Sequence, residues 1–152
     1  MFVDSDHGHD KVTGRSSTEL FSVVVSTPTT WSSKRQTTVQ TSTFGAKVIA
    51  LKKSAEESIM LRYHLISMGI KVYKPTPIFV ESISVVLNAT NPGSTVNNKT
   101  VVLSYRFVRG HVANNVVEVR KIHTSENISY SFTKPLTSNY FQGLYYECTV
   151  NG

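Results

Sequence analysis

Apolar and polar positions along the chain change period several times, and each change marks a structural element. Met1 to Asp4 is a short, largely apolar opening, and Asp4 to Arg15 is a polar stretch with two glycines, which together predict a strand running into a loop. From Ser17 to Lys34, β-branched and aromatic residues cluster as Leu20, Phe21, Val23, Val24 and Val25, followed by Trp31. A Thr-Pro-Thr-Thr segment around Pro28 separates the two clusters, so the pattern predicts a hairpin turning there. This half is rich in Ser and Thr, but the embedded apolar runs argue against disorder.

From Ser42 the period becomes helical. Ala46, Ile49, Ala50, Lys53, Glu57, Met60, Leu61, His64, Leu65 and Met68 recur at that spacing, Ser42 or Thr43 supplies a cap, and Gly69 a stop. Pro75 and Pro77 precede Ile78, Phe79 and Val80, a buried-strand candidate, and Ser82 to Ala89 reads as a brief helix ending before Asn91-Pro92-Gly93. Val96 to Val112 is a second amphipathic helix and Val116 to Ile122 a β-branched strand. Glu126 to Phe132 and Asn139 to Glu147 read as two short closing helices. The order predicts an α/β chain: an antiparallel meander first, then strands that return through helices and therefore pair parallel.

Composition narrows this picture only a little. At 152 residues with 39% hydrophobic residues, one compact domain spanning 1–152 has enough material for a core, and two would each be undersized. The formal charge of +6 favours an anionic partner, nucleic acid before acidic membrane, although basic composition also serves solubility alone. The single cysteine, Cys148, excludes an internal disulfide, and no apolar run approaches a bilayer span, so an intracellular protein is expected. The sequons at Asn88, Asn98 and Asn127 then carry no weight.

Four blocks of residues are more specific. They are Val3-Asp4-Ser5-Asp6-His7-Gly8-His9-Asp10-Lys11-Val12-Thr13-Gly14-Arg15-Ser16, the segment from Trp31 to Gly45, Leu61 to Ile70, and Glu126 to Leu136. In this order and at these separations, they resemble the ribonuclease H domain at the C-terminal end of copia-type retrotransposon Pol polyproteins, over nearly the whole chain. The resemblance implies a ribonuclease-H-like fold, a mixed five-stranded sheet with helices on both faces. It also implies hydrolysis of RNA in RNA/DNA hybrids by two Mg²⁺ ions about 4 Å apart, held by about four carboxylates.

Carried onto this chain, those four positions are only half acidic. Asp4 keeps the first. The second, on the long helix, falls on Lys47 within Thr43-Phe44-Gly45-Ala46-Lys47. The third falls on Glu81, which is longer by one methylene than the family's aspartate, and the fourth on Tyr130. Four carboxylates carry about −4, whereas Asp4, Lys47, Glu81 and a neutral tyrosine sum to about −1. At an effective dielectric near 20, an ammonium about 4 Å from a dication is repelled by roughly 8 kcal/mol. The expectation is a degenerate domain, with Asp4 and Glu81 as remnant catalytic positions that hold at most one weak metal, and with Mg²⁺ binding weakened or lost.

One expectation goes beyond the family: Lys47 replaces the missing metals electrostatically by pairing with Asp4 or Glu81, the alternative being a lysine that reaches solvent. Other candidates are weaker. His7 and His9 with Asp10 could be taken for metal ligands, yet neighbouring residues of an extended segment point to different sides and no Cys or third His is nearby. Asp6 falls on the Asp4 side only if the strand stays regular through Ser5. His64, His111 and His123 have no visible partner in the sequence. Lys34, Arg35, Lys52, Lys53, Lys99, Arg106, Arg109, Arg120, Lys121 and Lys134 allow weak, salt-sensitive contact with an RNA/DNA hybrid or other nucleic acid, or else form a solvated face. A monomer without membrane contact is expected. The tail, with Tyr140, Phe141, Leu144, Tyr145 and Cys148 on one face, is expected to dock on the domain. Two further readings stand beside the degenerate domain: a residual metal-dependent ribonuclease, and a non-enzymatic interaction module.

Overall fold

The computed structural model describes residues 1–8, 10–91, 93–94 and 99–129. The elements follow the order β1 (Phe2–Asp6), β2 (Ser17–Val24), β3 (Thr27–Arg35), α1 (Thr43–Ser67), β4 (Thr76–Val80), α2 (Ile83–Thr90), α3 (Lys99–Ala113) and β5 (Val117–Lys121), with a 3-10 turn at Thr124–Glu126. The chain is thus α/β, with one five-stranded mixed sheet of order β3-β2-β1-β4-β5 and three helices. Strands β1 to β3 pair antiparallel, while β4 lies parallel to both β1 and β5.

The hairpin turns earlier than Pro28 suggests. The two connecting residues are Val25 and Ser26, at φ of 49° and 60°, a left-handed pair that matches the twist of a two-residue hairpin. Pro28 lies inside β3 instead, paired with Val23 next to a register shift at Ser22/Val23. A proline is tolerated there because β3 is an outer strand of the sheet among the described residues, where a missing N–H costs no ladder bond on the open side.

Helix α1 begins and ends where its caps predict. Ser42 is extended (φ −145°, ψ 151°), its hydroxyl accepts from the Gly45 N–H at 3.1 Å, and Gly69 leaves the helix at φ +80°. Ser42→Ala is expected to cost about 1 kcal/mol, read as a lower urea midpoint with an unchanged slope. At 25 residues the helix runs about 37 Å, roughly twice the length of a five-residue strand. Its buried residues all lie between Gly45 and Ser58, over the sheet, and its far end leaves Met60, Tyr63 and Ile66 exposed.

The core lies on one face of the sheet. Val3, Leu20, Ile78, Val80, Val117 and Val119 from the strands meet Val48, Leu51 and Ala55 of α1, Val85 and Ala89 of α2, and Val101, Tyr105 and Val108 of α3. The expectation of helices on both faces is therefore corrected for the described residues: all three helices pack on the same side. The opposite face carries an in-register row, one residue per strand, of Trp31, Phe21, Phe2, Phe79 and Arg120. Phe2 and Phe79 stack with centroids 5.1 Å apart, and Ile128 packs beside Phe21.

The predicted closing helix from Glu126 is not continuous. The 3-10 turn stops at Glu126, and Asn127 takes an extended conformation (φ −84°, ψ 101°). Its side chain donates to the Val3 carbonyl and accepts from the N–H and hydroxyl of Ser129, bonds that compete with helical continuation. The Asn139 to Glu147 helix, Tyr130, Lys134 and the tail lie outside the described residues.

Candidate functional site

Two features of the sheet open a cleft at the carboxyl ends of β1 and β4. The strands run parallel, yet among the described residues their register is confined to Phe2 and Phe79, with the Phe79 N–H donating to Met1 O at 2.8 Å. Beyond that pair, Asp4 and Ser5 continue β1, while Glu81 and Ser82 follow β4 into α2. Crevices outside the carboxyl ends of strands, where the chain changes direction across a sheet, are where open α/β folds place ligands. Val3, Asp4, Ser5, Lys47, Ala50, Val80, Glu81, Ser82 and Val85 line the resulting recess of about 10 Å³.

The segment before α1 aims Lys47 into this recess. Gln36 is buried and donates to Thr18 Oγ1 at 3.0 Å and to the Ala46 carbonyl at 2.9 Å, which ties the first turn of α1 to β2. Gln40, also buried, comes so close that a Cβ at Gly45 would stand 2.8 Å from Gln40 Oε1 and 3.3 Å from Ser42 Oγ. Glycine is what allows that approach. The polar residues of the second sequence block thus position the helix that carries Lys47.

Asp4, Lys47 and Glu81 converge. Lys47 Nζ lies 3.3 Å from Asp4 Oδ1 and 3.9 Å from Glu81 Oε2, and the Asp4 side chain retains only 8% of its accessible surface. This is the pairing expected from the sequence, made to both acids. Lys47 is the fifth residue of α1, just past the first turn, where the macrodipole opposes a cation by no more than roughly 0.3–1 kcal/mol, and the first turn holds no acid. The two carboxylates outweigh that cost: at an effective dielectric near 20 each contributes a gross attraction of about 4–5 kcal/mol before desolvation is subtracted.

One acid near this site was not picked out from the sequence. Glu19 lies directly across β2 from Asp4, is 2% exposed, and accepts from Ser33 Oγ at 3.1 Å. A lone carboxylate preceding Leu20-Phe21 in an apolar strand was the available signal. Even so, no three His, Cys, Asp or Glu side chains converge into a metal-holding group among the described residues.

The remaining candidates fall elsewhere. Asp6 ends a regular β1 but does not line the recess. His7 Nε2 meets the Gln40 carbonyl at 3.1 Å, and His9 lies outside the described residues. Asp10 organises the loop before β2: it accepts from the Val12 and Thr13 N–H groups, from Thr13 Oγ1 at 2.7 Å and from Arg35 at 2.7 Å. The Thr13 hydroxyl first, and Arg35 next, hold its carboxyl well below the usual carboxylate range. His111 packs edge-on against Phe107, and His123 caps the 3-10 turn through Ser125. His64 lies in the last turn of α1, where a cation suits the carbonyl end.

Several of the cations among the described residues are engaged within the chain itself. Arg35 is held by Asp10, Lys52 by Glu56, Lys53 by Glu57 and Arg120 by Glu118. Arg109 stacks on Tyr105 and donates to the carbonyls of Asn88, Asn91 and Ser94. Lys34 and Lys121 lie on β3 and β5, the opposite outer strands of the sheet. No helix of the described residues is long and apolar enough to cross a membrane.

Among the curated proteins similar to this chain are retrovirus-related Pol polyproteins of three plant transposons. Those of transposons RE1 and RE2 from Arabidopsis thaliana are 26% and 27% identical over 115 residues, 76% of this chain and 8% of each relative. That of transposon TNT 1-94 from Nicotiana tabacum is 28% identical over 141 residues, 93% of this chain and 10% of the relative. The chain thus spans about a tenth or less of the length of these relatives. No family model matches it, and no solved structure does.

Proposed function

We propose that this chain is a ribonuclease-H-like domain of a retrotransposon Pol polyprotein that no longer hydrolyses RNA/DNA hybrids efficiently. The similarity to plant retrotransposon polyproteins supports the retroelement origin. The strand order, with a three-stranded antiparallel meander followed by two parallel strands, fits the fold that the sequence blocks imply. The loss of activity rests on one observation: the Lys47 ammonium stands between Asp4 and Glu81, in the position where paired dications would need a carboxylate. The residues present do not fit two Mg²⁺ ions, because the recess combines two acids with a fixed positive charge.

The test is incubation of a labelled RNA/DNA hybrid with the purified chain in Mg²⁺ or Mn²⁺. Cleavage no faster than in the absence of protein is expected, and a double change, Lys47→Glu with Tyr130→Asp, is expected to raise it by returning two acids. Hybrid cleavage by the unaltered chain at the rate of an ordinary ribonuclease H would overturn this reading. Contact with nucleic acid is part of the proposal as a weak, salt-sensitive term, because Arg35, Lys52, Lys53, Arg109 and Arg120 are engaged within the chain, and Lys34 and Lys121 lie on opposite outer strands.

The exposed apolar side chains at and just beyond the far end of α1, Met60, Tyr63, Ile66, Met68, Ile70 and Tyr73, favour a second reading as an interaction module. Recovery of a stoichiometric protein partner without nucleic acid would support that alternative.

A further inference from the structure

We infer that the groove between the second halves of α1 and α3, together with the loop that follows α1, binds single-stranded nucleic acid by stacking its unpaired bases on aromatic side chains. This goes beyond the proposed loss of hybrid hydrolysis. The groove shares no lining residue with the recess around Asp4 and Glu81, and strand binding there needs no metal.

Two independent observations carry it. The first is the groove itself. Glu56, Ile59, Met60 and Tyr63 share one face of α1 and, with Phe107 and His111 of α3, line a space of about 380 Å³. That lies within the roughly 300–1,000 Å³ of small-ligand sites, so a base fits. Half of the lining side chains are flat rings, and Phe107 and His111 meet edge-on with centroids 4.6 Å apart. The acid of the lining, Glu56, is compensated by Lys52 at 2.6 Å, whose Nζ also stands 5.8 Å over the Phe107 ring. A phosphate approaching these rings is therefore not turned away.

The second is the charge of the adjoining segment. No acid occurs between Glu57 and Glu81, whereas Arg62, His64, Lys71 and Lys74 do. Tyr63 and Tyr73 are 68% and 81% exposed, and each has a cation as its chain neighbour, Arg62 and Lys74. Arg62 donates to the Lys74 carbonyl at 2.7 Å and to the Val72 carbonyl at 3.4 Å, so the residue beside Tyr63 holds the backbone on both sides of Tyr73. Both rings and their cations are thereby kept at one end of the molecule. Rings interleaved with positive charge serve an unpaired strand in two ways, the rings taking bases of any sequence and the cations taking phosphates. The same charge repels a second copy of this surface, and a concave groove walled by rings suits a flat base better than it suits lipid chains.

The experiment is fluorescence anisotropy of a short labelled single-stranded DNA with the full chain, at low and at raised salt. An RNA/DNA hybrid of the same length and a strand with abasic sites in place of its bases are measured beside it. The single strand is expected to bind at least about tenfold more tightly than either, because a hybrid hides its base faces and an abasic strand has none. Tyr63→Ala and Tyr73→Ala are each expected to weaken binding by about five- to a hundredfold with an unchanged urea midpoint, and Tyr63→Phe to leave it unaltered. Lys71→Gln combined with Lys74→Gln is expected to weaken binding and to flatten the log–log salt slope by about 1.4.

Equal binding of the abasic strand or of the hybrid, or tyrosine variants that bind like the unaltered chain, would overturn the inference. The abasic comparison uses the unaltered chain, so it decides even if a variant fails to fold. Sedimentation with phosphatidylserine vesicles, or capture of a stoichiometric protein partner, by a chain that does not bind the single strand would overturn it as well.

Discussion

Replacing Leu51 by alanine is expected to destabilise the chain by about 3–4 kcal/mol and lower its melting temperature by roughly 10 °C. Leu51 is 1% exposed and belongs to the single core shared by α1, α2, α3 and the sheet. The cost combines lost transfer free energy with a cavity that neighbours on three helices cannot close together. Leu51 also follows Lys47 by four residues, so both project from one face of α1, the leucine toward the core and the lysine toward the recess. Urea unfolding checks the prediction, and a loss below about 1.5 kcal/mol would mean that α1 is held mainly by something other than its apolar face.

Asn127→Ala is expected to cost about 2–4 kcal/mol. Asn127 is 1% exposed, its Nδ2 donates to the Val3 carbonyl at 3.3 Å, and its Oδ1 accepts from the N–H and the hydroxyl of Ser129. Alanine leaves a buried carbonyl without this donor and a buried serine without its acceptor, each a desolvation penalty of about 1–3 kcal/mol. Ser129→Ala removes only the hydroxyl bond and should cost about 1 kcal/mol. Equal losses from the two variants would count against this account, in which Asn127 ties the chain after β5 to the strand that carries Asp4. The same burial removes Asn127 from the acceptor sites open to glycosylation on the folded chain.

How far these features could be foreseen depends on whether local sequence or distant packing decides them. Helix α1 was legible because its apolar spacing, its Ser42 cap and its Gly69 stop are all local signals. The hairpin position was not. Pro28 is a turn former by local chemistry, and its place inside β3 follows only from β3 being outermost in the sheet, a tertiary fact. Val25 at φ 49° could not be anticipated either, since β-branched residues rarely adopt that conformation. The stop at Asn127 likewise depends on a bond to Val3, 124 residues away.

At the site, the convergence of Asp4, Lys47 and Glu81 was implied by the resemblance that places them at matching motif positions, and charge added the expectation that Lys47 pairs with one of the acids. Glu19 was missed because only cross-strand register brings it opposite Asp4. Gln36 and Gln40 were missed for a related reason. Their roles are hydrogen bonds and close backbone approaches that no periodicity announces.

The outermost strand has a consequence for how copies of this chain meet one another. An extended peptide seeking to prolong the sheet alongside β3 would find no N–H at Pro28, a bulge next to it, and the charges of Lys34 and Arg35 at the far end. Each of these disfavours strand addition, so runaway polymerisation through that margin is suppressed, even though Trp31 lies largely open to solvent in the middle of it.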